Sequence, residues 1–380
     1  MCRGVCLRKS RRWTMDLVLT GGGTGGHICP LLGLADTARS LDPSTQVTFI
    51  GEASGLENRL VPAAGYPLRA LKGRPLPRRF SPASIRALLT LAAAVPRATA
   101  LLRDLAPSAV IGTGGYASAC VLYAAARLRL PTLLIELNAV PGRTTRALAR
   151  RVTRVCTQFE ETATHLPGGR CELTGSPVRA PFLTVSRETA RAQLAVGPED
   201  FCVLVFGGSQ AARTLNLAVE QVLPLLAAAG RPLCVRHLCG ETFLPTAEGL
   251  AAQYAGHPSL AYRPEAYRDD LWTLLSAADV VVCRAGGSSL SELSVVGVPA
   301  ILVPYPFATD DHQARNAASF RDRGAAVVVP DRELSGTRLV QELTALLDDP
   351  QRGETMRRQA LSAGFPEAAE HLLSLVLALT

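Results

Sequence analysis

The chain has 380 residues, 48% hydrophobic and 5% aromatic, with a formal net charge of +8. That length exceeds one ordinary core, and that apolar content excludes a chain disordered throughout. No apolar run reaches the ~18 residues of a spanning helix, and ten cysteines without C-x-x-C spacing read as small buried hydrophobes in a reducing compartment.

The charge is unevenly spread. Residues 1–180 carry 24 Lys+Arg against 10 Asp+Glu, and the remainder 16 against 22. A basic first half fits a negative partner on one side: acidic lipid headgroups, a polyanionic substrate or nucleic acid. A solvated arginine-rich surface fits equally. Residues 1–14 include Arg3, Arg8, Lys9, Arg11 and Arg12 with no acid and no apolar h-region. They read as a disordered basic tail, or as an over-extended start with Met15 as initiator, and not as a secretory signal.

Leu17 to Leu19 reads as a buried strand. It runs into Thr20-Gly21-Gly22-Gly23-Thr24-Gly25-Gly26-His27, ahead of a helix that begins near Ile28-Cys29-Pro30 and covers Leu31 to Leu41. Glycines let the backbone approach a ligand closely, and a helix N-terminus favours an anion such as a diphosphate. Gly21, Gly23 and Gly26 satisfy G-x-G-x-x-G, a pattern shared with plain tight turns. His27 stands where loop becomes helix, so its imidazole can face the crevice beyond the strand ends.

Val47 to Ile50 is a second strand. In Leu71 to Leu102, the cations Lys72, Arg74, Arg78 and Arg79 precede the apolar stretch Ile85 to Leu91. Such a segment suits a membrane interface, or a core-facing helix with a charged rim. Ala109 to Thr113 is a strand ending in a second glycine turn, Gly112-Thr113-Gly114-Gly115-Tyr116, expected in the same crevice. Leu133 to Ile135 leads to Glu136-Leu137-Asn138, a carboxylate and an amide where open parallel sheets place ligand groups. Val152 to Thr157 and Gly175 to Arg179 close this half, and Ala180 to Asp200 reads as a linker with a short helix.

The second half repeats the grammar: Val203 to Phe206, then Gly207-Gly208-Ser209-Gln210 and a helix through Leu215-Asn216. Asp279 to Cys283, Ala300 to Val303 and Ala325 to Val329 are further strands, and the alternation argues for parallel sheets. After the first of these come Arg284-Ala285-Gly286-Gly287-Ser288-Ser289-Leu290-Ser291-Glu292. Small residues open a helix there, and a carboxylate so near a bound phosphate is best explained by a ribose diol. Asp310-Asp311-His312-Gln313 suggests a metal, but no D-x-D pair occurs, and Gln313 and Asn316 favour hydrogen bonding.

Assembled, these residues resemble the GT-B glycosyltransferases of family 28. Members move N-acetylglucosamine from UDP-GlcNAc onto the lipid-linked muramyl-pentapeptide pyrophosphate, lipid I, giving lipid II. The resemblance runs from about Met15 to the C-terminus on Gly22 to His27, Gly112 to Tyr116, Glu136 and Asn138, Gly175 to Arg179, Gly207 to Gln210, Arg284 to Glu292 and Asp310 to Ala317. It implies an α/β chain of two doubly wound Rossmann-like domains facing each other across a cleft. The expected division is 15–180 for an acceptor and membrane-side domain, 181–200 for a hinge, and 201–361 for the UDP-GlcNAc domain. A C-terminal helix in 362–380 returns to the first domain.

The resemblance also implies roles. Thr24, Gly25 and Gly26 would face the donor from the first domain, with Asn138 and Arg179 adding polar contacts and Ser209 reaching it from the other side. Gly287, Ser288, Ser289, Leu290 and Ser291 would hold the diphosphate, Glu292 the ribose hydroxyls and Gln313 the sugar. Uracil would lie largely on backbone groups of Tyr267 to Asp270; Arg268 stands where the family carries an aliphatic residue, a departure that bears on the side-chain half of that recognition and not on the backbone half. Leu137, Ser176 and Ala211 also depart from the usual Gln, Asn and Gly. Gly114, Gly115 and Tyr116 would serve the acceptor. His27 is the expected base of an inverting transfer, with Glu136 a second candidate or its orienting partner. No metal site or required cofactor is implied, and stimulation by Mg²⁺ stays open. Expected partners are UDP-GlcNAc, lipid I and the anionic cytoplasmic face of the cell membrane, held peripherally, together with cell-wall and division proteins and no nucleic acid. The setting is peptidoglycan synthesis, hence cell shape and division. A UDP-sugar:diacylglycerol transferase, a nicotinamide oxidoreductase and a non-catalytic membrane binder are the alternatives, although Glu52 lies too far past the glycines for a nicotinamide site.

Overall fold

The computed structural model describes residues 15–22, 25–52, 55–71, 82–166, 170–208 and 211–380, with backbone alone for 82–93 and Tyr116. The basic tail and Lys72, Arg74, Arg78 and Arg79 lie outside the described residues.

Strands and helices alternate as expected. The first domain runs β1 (Asp16–Thr20), α1 (Gly25–Leu41), β2 (Gln46–Glu52), α2 (Glu57–Ala63), β3 (Leu68–Leu71), α3 (Pro82–Leu105), β4 (Ala109–Gly112), α4 (Tyr116–Arg127), β5 (Thr132–Glu136), α5 (Arg143–Leu148), β6 (Arg154–Thr157) and β7 (Cys171–Leu173). Short helices α6 (Pro181–Thr184) and α7 (Arg187–Gln193) precede β8 (Phe201–Phe206), α8 (Arg213–Ala228), β9 (Leu233–Leu238), α9 (Leu244–Gln253), β10 (Leu260–Glu265), α10 (Leu271–Ala277), β11 (Val280–Cys283), α11 (Gly287–Val296), β12 (Ala300–Leu302), α12 (His312–Asp322) and β13 (Ala326–Val328). The chain ends with α13 (Gly336–Leu347), α14 (Pro350–Ser362) and α15 (Ala368–Leu379).

Among the described residues the strands form two parallel sheets, ordered β3-β2-β1-β4-β5-β6-β7 and β10-β9-β8-β11-β12-β13. Alternation along each strand feeds two helix layers. Leu17 and Leu19 enter one core cluster and Val18 the other, as do Val203 and Val205 against Cys202 and Leu204. Strand order reverses between β1 and β4 in the first sheet and between β8 and β11 in the second. At such switch points the loops leaving neighbouring strands diverge and open a crevice at their C-terminal ends. Both glycine turns of the first half and both of the second leave those four strands.

Several elements differ from expectation. Helix α1 starts at Gly25, ahead of Pro30, so His27 is its third residue. Four strands carry weak sequence signals. Edge strands β3 and β7 have only four and three residues. Arg236 and His237 interrupt β9, and Pro264 is tolerated in β10 because that strand is an edge. The segment 181–200, expected as a linker, is built into the second domain. Phe182, Ala190, Leu194 and Val196 join its core, and Arg187 and Arg191 both grip Asp279, at 2.6 and 3.2 Å. Asp279 Oδ2 also accepts from the Cys202 amide at 2.7 Å, locking this segment to β8.

The chain therefore crosses between sheets around Gly175–Arg179 and returns around Gly364–Glu367. These two crossings touch, since Gly175, at φ 71°, has Phe365 against the position of a Cβ. Helix α15 then packs on α1, burying Leu372, Leu373 and Val376 completely in the first domain's core. Burial of that kind stabilises by roughly 1.5–3 kcal/mol per side chain. In α3, Ala98 and Leu102 pack into the core with Val121 and Leu122, the behaviour of an ordinary core helix over its C-terminal half. The described cysteines are all free and buried or half-buried. Among the described residues no helix is long and apolar enough to cross a membrane.

Candidate active site

The cleft is built from the C-terminal ends of β1, β4 and β5 on one side and of β8 and β11 on the other. Gly25 and Gly26 form the first turn of α1, half-buried, with His27 beside them. Thr24 and Ser209 lie outside the described residues, as does the side chain of Tyr116. The second glycine turn abuts the first. Gly114 and Gly115 take φ values of 93° and 85°, which favour glycine. A Cβ on Gly114 would sit 3.6 Å from His27 Cε1, and one on Gly115 3.1 Å from the Gly22 carbonyl. Thr113 Oγ1 donates to the His27 carbonyl at 2.7 Å, tying β4 to the start of α1.

Among the described residues the buried His27 Nδ1 has no partner. Burial holds the imidazole below its ordinary 6.5, while the nearby Glu136 charge pulls in the opposite direction. Glu136 is not a free base. Its Oε1 accepts from the backbone and side-chain amides of Asn138 at 3.0 and 3.1 Å. Its Oε2 accepts from Gly142 N at 2.9 Å and Thr145 Oγ1 at 2.5 Å. Four hydrogen bonds occupy the carboxylate, and none involves His27. Glu136 anchors the loop after β5 and acts on His27 through its charge alone.

The opposite wall is the N-terminus of α11. Leu290 N already bonds Gly286 O, so among the described residues the helix amides without a partner are those of Gly287, Ser288 and Ser289. Among the described residues the Ser288 and Ser289 hydroxyls have no partner. Two expected contacts are corrected here. Leu290 is wholly buried in the core, and Ser291 Oγ donates back to Gly287 O at 3.2 Å, so neither side chain is offered to a ligand. Glu292, one turn in, is 8% exposed and has no hydrogen-bond partner among the described residues. Burial pushes its carboxyl up to about 8. A buried carboxyl left unpaired at such a cost calls for a donor that arrives with a ligand.

Arg179 and Arg268 are also committed elsewhere. Arg179 Nε bonds Asp36 Oδ2 on α1 at 3.1 Å, and its guanidinium lies 5.5 Å from the centre of the Trp272 ring. It clasps α1 to the second domain. Arg268 is held by Asp270 at 2.6 Å and Glu265 at 3.2 Å, which fixes the loop after β10. Gln313 Oε1 accepts from Tyr305 N at 2.9 Å, and His312 Nδ1 lies 2.7 Å from Thr309 O. Among the described residues no group of three or more His, Cys, Asp or Glu is placed to hold a metal.

The two walls meet. Burial and then the Glu292 carboxyl push the Cys29 thiol of α1 up to about 12, and His312 bears on His27 from across the cleft. Gln158 Nε2 donates to Gly287 O at 3.0 Å. A Cβ on Gly287 would collide with the Leu137 carbonyl. Gly287→Ala is therefore expected to push the domains apart, read as an increased radius of gyration in solution scattering. Unchanged scattering would contradict this fit. Gln158 and the Leu137 carbonyl were not singled out from sequence, and Asn316 was singled out only as a residue suited to hydrogen bonding rather than to a metal. Gln158 had one available signal, its position just past the C-terminal end of β6.

Comparison with known proteins follows the same division. The glycosyltransferase family 28 N-terminal domain matches residues 17–157 and the family's C-terminal domain matches residues 202–372. A relative from Desulforudis audaxviator, named UDP-N-acetylglucosamine--N-acetylmuramyl-(pentapeptide) pyrophosphoryl-undecaprenol N-acetylglucosamine transferase, is 38% identical over 369 residues, covering 95% of this chain and 98% of its own. A Lactococcus lactis relative of the same name is 36% identical, covering 95% and 99%. The crystal structure of Acinetobacter baumannii MurG superposes with a TM-score of 0.74 at 29% identity, covering 96% of this chain and 99% of that one. The kitacinnamycin glycosyltransferase shares the fold at 18% identity and a TM-score of 0.67, covering 94% and 98%. With both domains matched in order around one cleft, the chain belongs to glycosyltransferase family 28.

Proposed function

We infer that this chain transfers N-acetylglucosamine from UDP-GlcNAc to lipid I, forming lipid II for peptidoglycan. One observation carries the reading at the site: a buried Glu292 without a partner among the described residues, beside the helix amides of Gly287, Ser288 and Ser289 and close to Cys29 in the first turns of α1. A diphosphate suits the amides of Gly287, Ser288 and Ser289, and a ribose diol supplies the two donors that Glu292 lacks. Backbone groups of Tyr267 to Asp270 are the uracil platform, and Gln313 and Asn138 face the sugar.

The acceptor hydroxyl attacks the anomeric carbon from the side opposite UDP. A new carbon–oxygen bond forms as the bond to the diphosphate oxygen breaks, and configuration inverts. His27 takes the hydroxyl proton. With Nδ1 buried against Gly114, Nε2 is the nitrogen that accepts it. The Glu136 charge favours the imidazolium that results. Negative charge developing on the departing diphosphate is stabilised by amides and serine hydroxyls already in position.

The basic first half, 24 cations against 10 acids, supports docking on an anionic membrane surface where a lipid-linked acceptor resides. Peripheral attachment at the cytoplasmic face, with cell-wall and division proteins as neighbours, completes the proposal. Calorimetry separates this reading from a nicotinamide enzyme. UDP-GlcNAc is expected to bind one site per chain and NAD none; binding of NAD without UDP-GlcNAc would overturn it.

A further inference from the structure

Asn316 lies on α12, completely buried, and both polar atoms of its carboxamide are bonded by partners from the two domains. Oδ1 accepts from Ala139 N at 2.8 Å. Nδ2 donates to Asn138 Oδ1 and to Ala285 O, each at 3.0 Å. Ala139 N can only donate and Ala285 O can only accept, so the Asn316 amide has one permitted orientation. Asn138 is fixed in the same way from the other side. Its backbone N and Nδ2 both donate to Glu136 Oε1, which makes Oδ1 the atom left to meet Asn316. Thr162 Oγ1 holds the Asn138 carbonyl at 3.0 Å.

This chain of fixed orientations runs from the anchored carboxylate of one domain to the loop that opens α11 in the other. Its middle member, Asn138, is half-buried and keeps one N–H and one lone pair free. If the domains separate, Asn316 loses two of its three partners and Asn138 loses the donor that sets its Oδ1.

We propose that Asn316 is a positioning residue: it fixes the Asn138 amide across the domain boundary, so that the sugar-facing edge of Asn138 is in place only when the domains are closed. This rests on the reading of the cleft as a UDP-GlcNAc site. Asn316 itself has no surface in the cleft and touches no substrate. Its effect passes through Asn138.

The test is a double-mutant cycle on ligand affinity, using the wild-type chain, Asn138→Ala, Asn316→Ala and the double variant, with UDP-GlcNAc and UDP titrated separately by calorimetry. Asn138→Ala and Asn316→Ala are each expected to weaken UDP-GlcNAc by about fivefold, the loss of one net hydrogen bond. UDP, lacking the sugar, keeps its affinity. The double variant is expected to bind no more weakly than Asn138→Ala alone. Additive losses, an equal loss for UDP, or unchanged affinity in either single variant would overturn the proposal. Should Asn316→Ala fail to fold, Asn316→Asp keeps the volume and the acceptor for Ala139 N but removes both donors. It is expected to reproduce the loss, and unchanged affinity for UDP-GlcNAc would overturn the proposal. A wild-type chain that does not bind UDP-GlcNAc overturns the functional reading and the positioning role together, whereas wild-type binding with an additive cycle overturns the positioning role alone.

Discussion

His27→Ala should lower kcat by on the order of 10²-fold or more while leaving the affinity for UDP nearly unchanged. The split follows from where the groups sit. The nucleotide's expected contacts, α11 and the loop after β10, belong to the second domain, and His27 belongs to the first. Removing it takes away a proton acceptor and leaves the diphosphate cradle intact. The pH profile carries a second signature. Because burial holds the imidazole below 6.5, it stays neutral at pH values where a free histidine is already half protonated. The acid limb of kcat/KM is therefore expected below pH ~6.5, and it should vanish in His27→Ala. Wild-type turnover in that variant would remove His27 from the chemistry.

Glu292→Gln should make the ligand-free protein more stable and the donor complex weaker. The carboxyl is raised to about 8 in the folded chain from an ordinary 4.5. Between those values the native state holds a proton that the unfolded chain releases, so native stability falls as pH rises through the window. Glutamine abolishes that fall. The variant's advantage should be small near pH 4.5 and grow to roughly 3–5 kcal/mol above pH 8. Chemical denaturation at several pH values measures it, and a constant difference across the range would show that the carboxyl is paired in solution. Donor KM should rise in the same variant, because an amide offers one acceptor oxygen where the carboxylate offers two; an unchanged KM would reject the ribose assignment.

The opposition between these effects explains why the site was partly legible in the sequence. Glu292 directly after a small-residue helix opening is a local conflict, a carboxylate beside an anion site, and such conflicts mark function. The glycine turns were legible for a similar reason, since Gly114, Gly115 and Gly208 take φ values that favour glycine. Fold class followed from the repeated strand, glycine turn and helix. What the sequence hid was the use of each polar group once the chain closes. Arg179 looks like a polar contact for the donor, but the carboxylate of Asp36 claims it first, and Glu265 and Asp270 hold the Arg268 side chain. Glu136 looks like a base and is spent on four local donors. Ser291 looks like a phosphate ligand and bonds its own helix. Each of these partners is set by tertiary geometry that no spacing rule encodes. The segment 181–200 was misread as a linker because short helices rich in Arg and Ala look solvated. Arg187 and Arg191 in fact meet Asp279 at the edge of a core.

One nucleotide-activated sugar, held between the two domains, is expected to pass to a lipid-linked muramyl acceptor. Incubation with UDP-GlcNAc labelled in the sugar, a lipid I analogue and, in parallel, a diacylglycerol acceptor tests this transfer most directly. Label is expected in the lipid I product, with stoichiometric release of UDP, and none in the glycerolipid. Label in the glycerolipid alone, or UDP released without labelled lipid product, would contradict it.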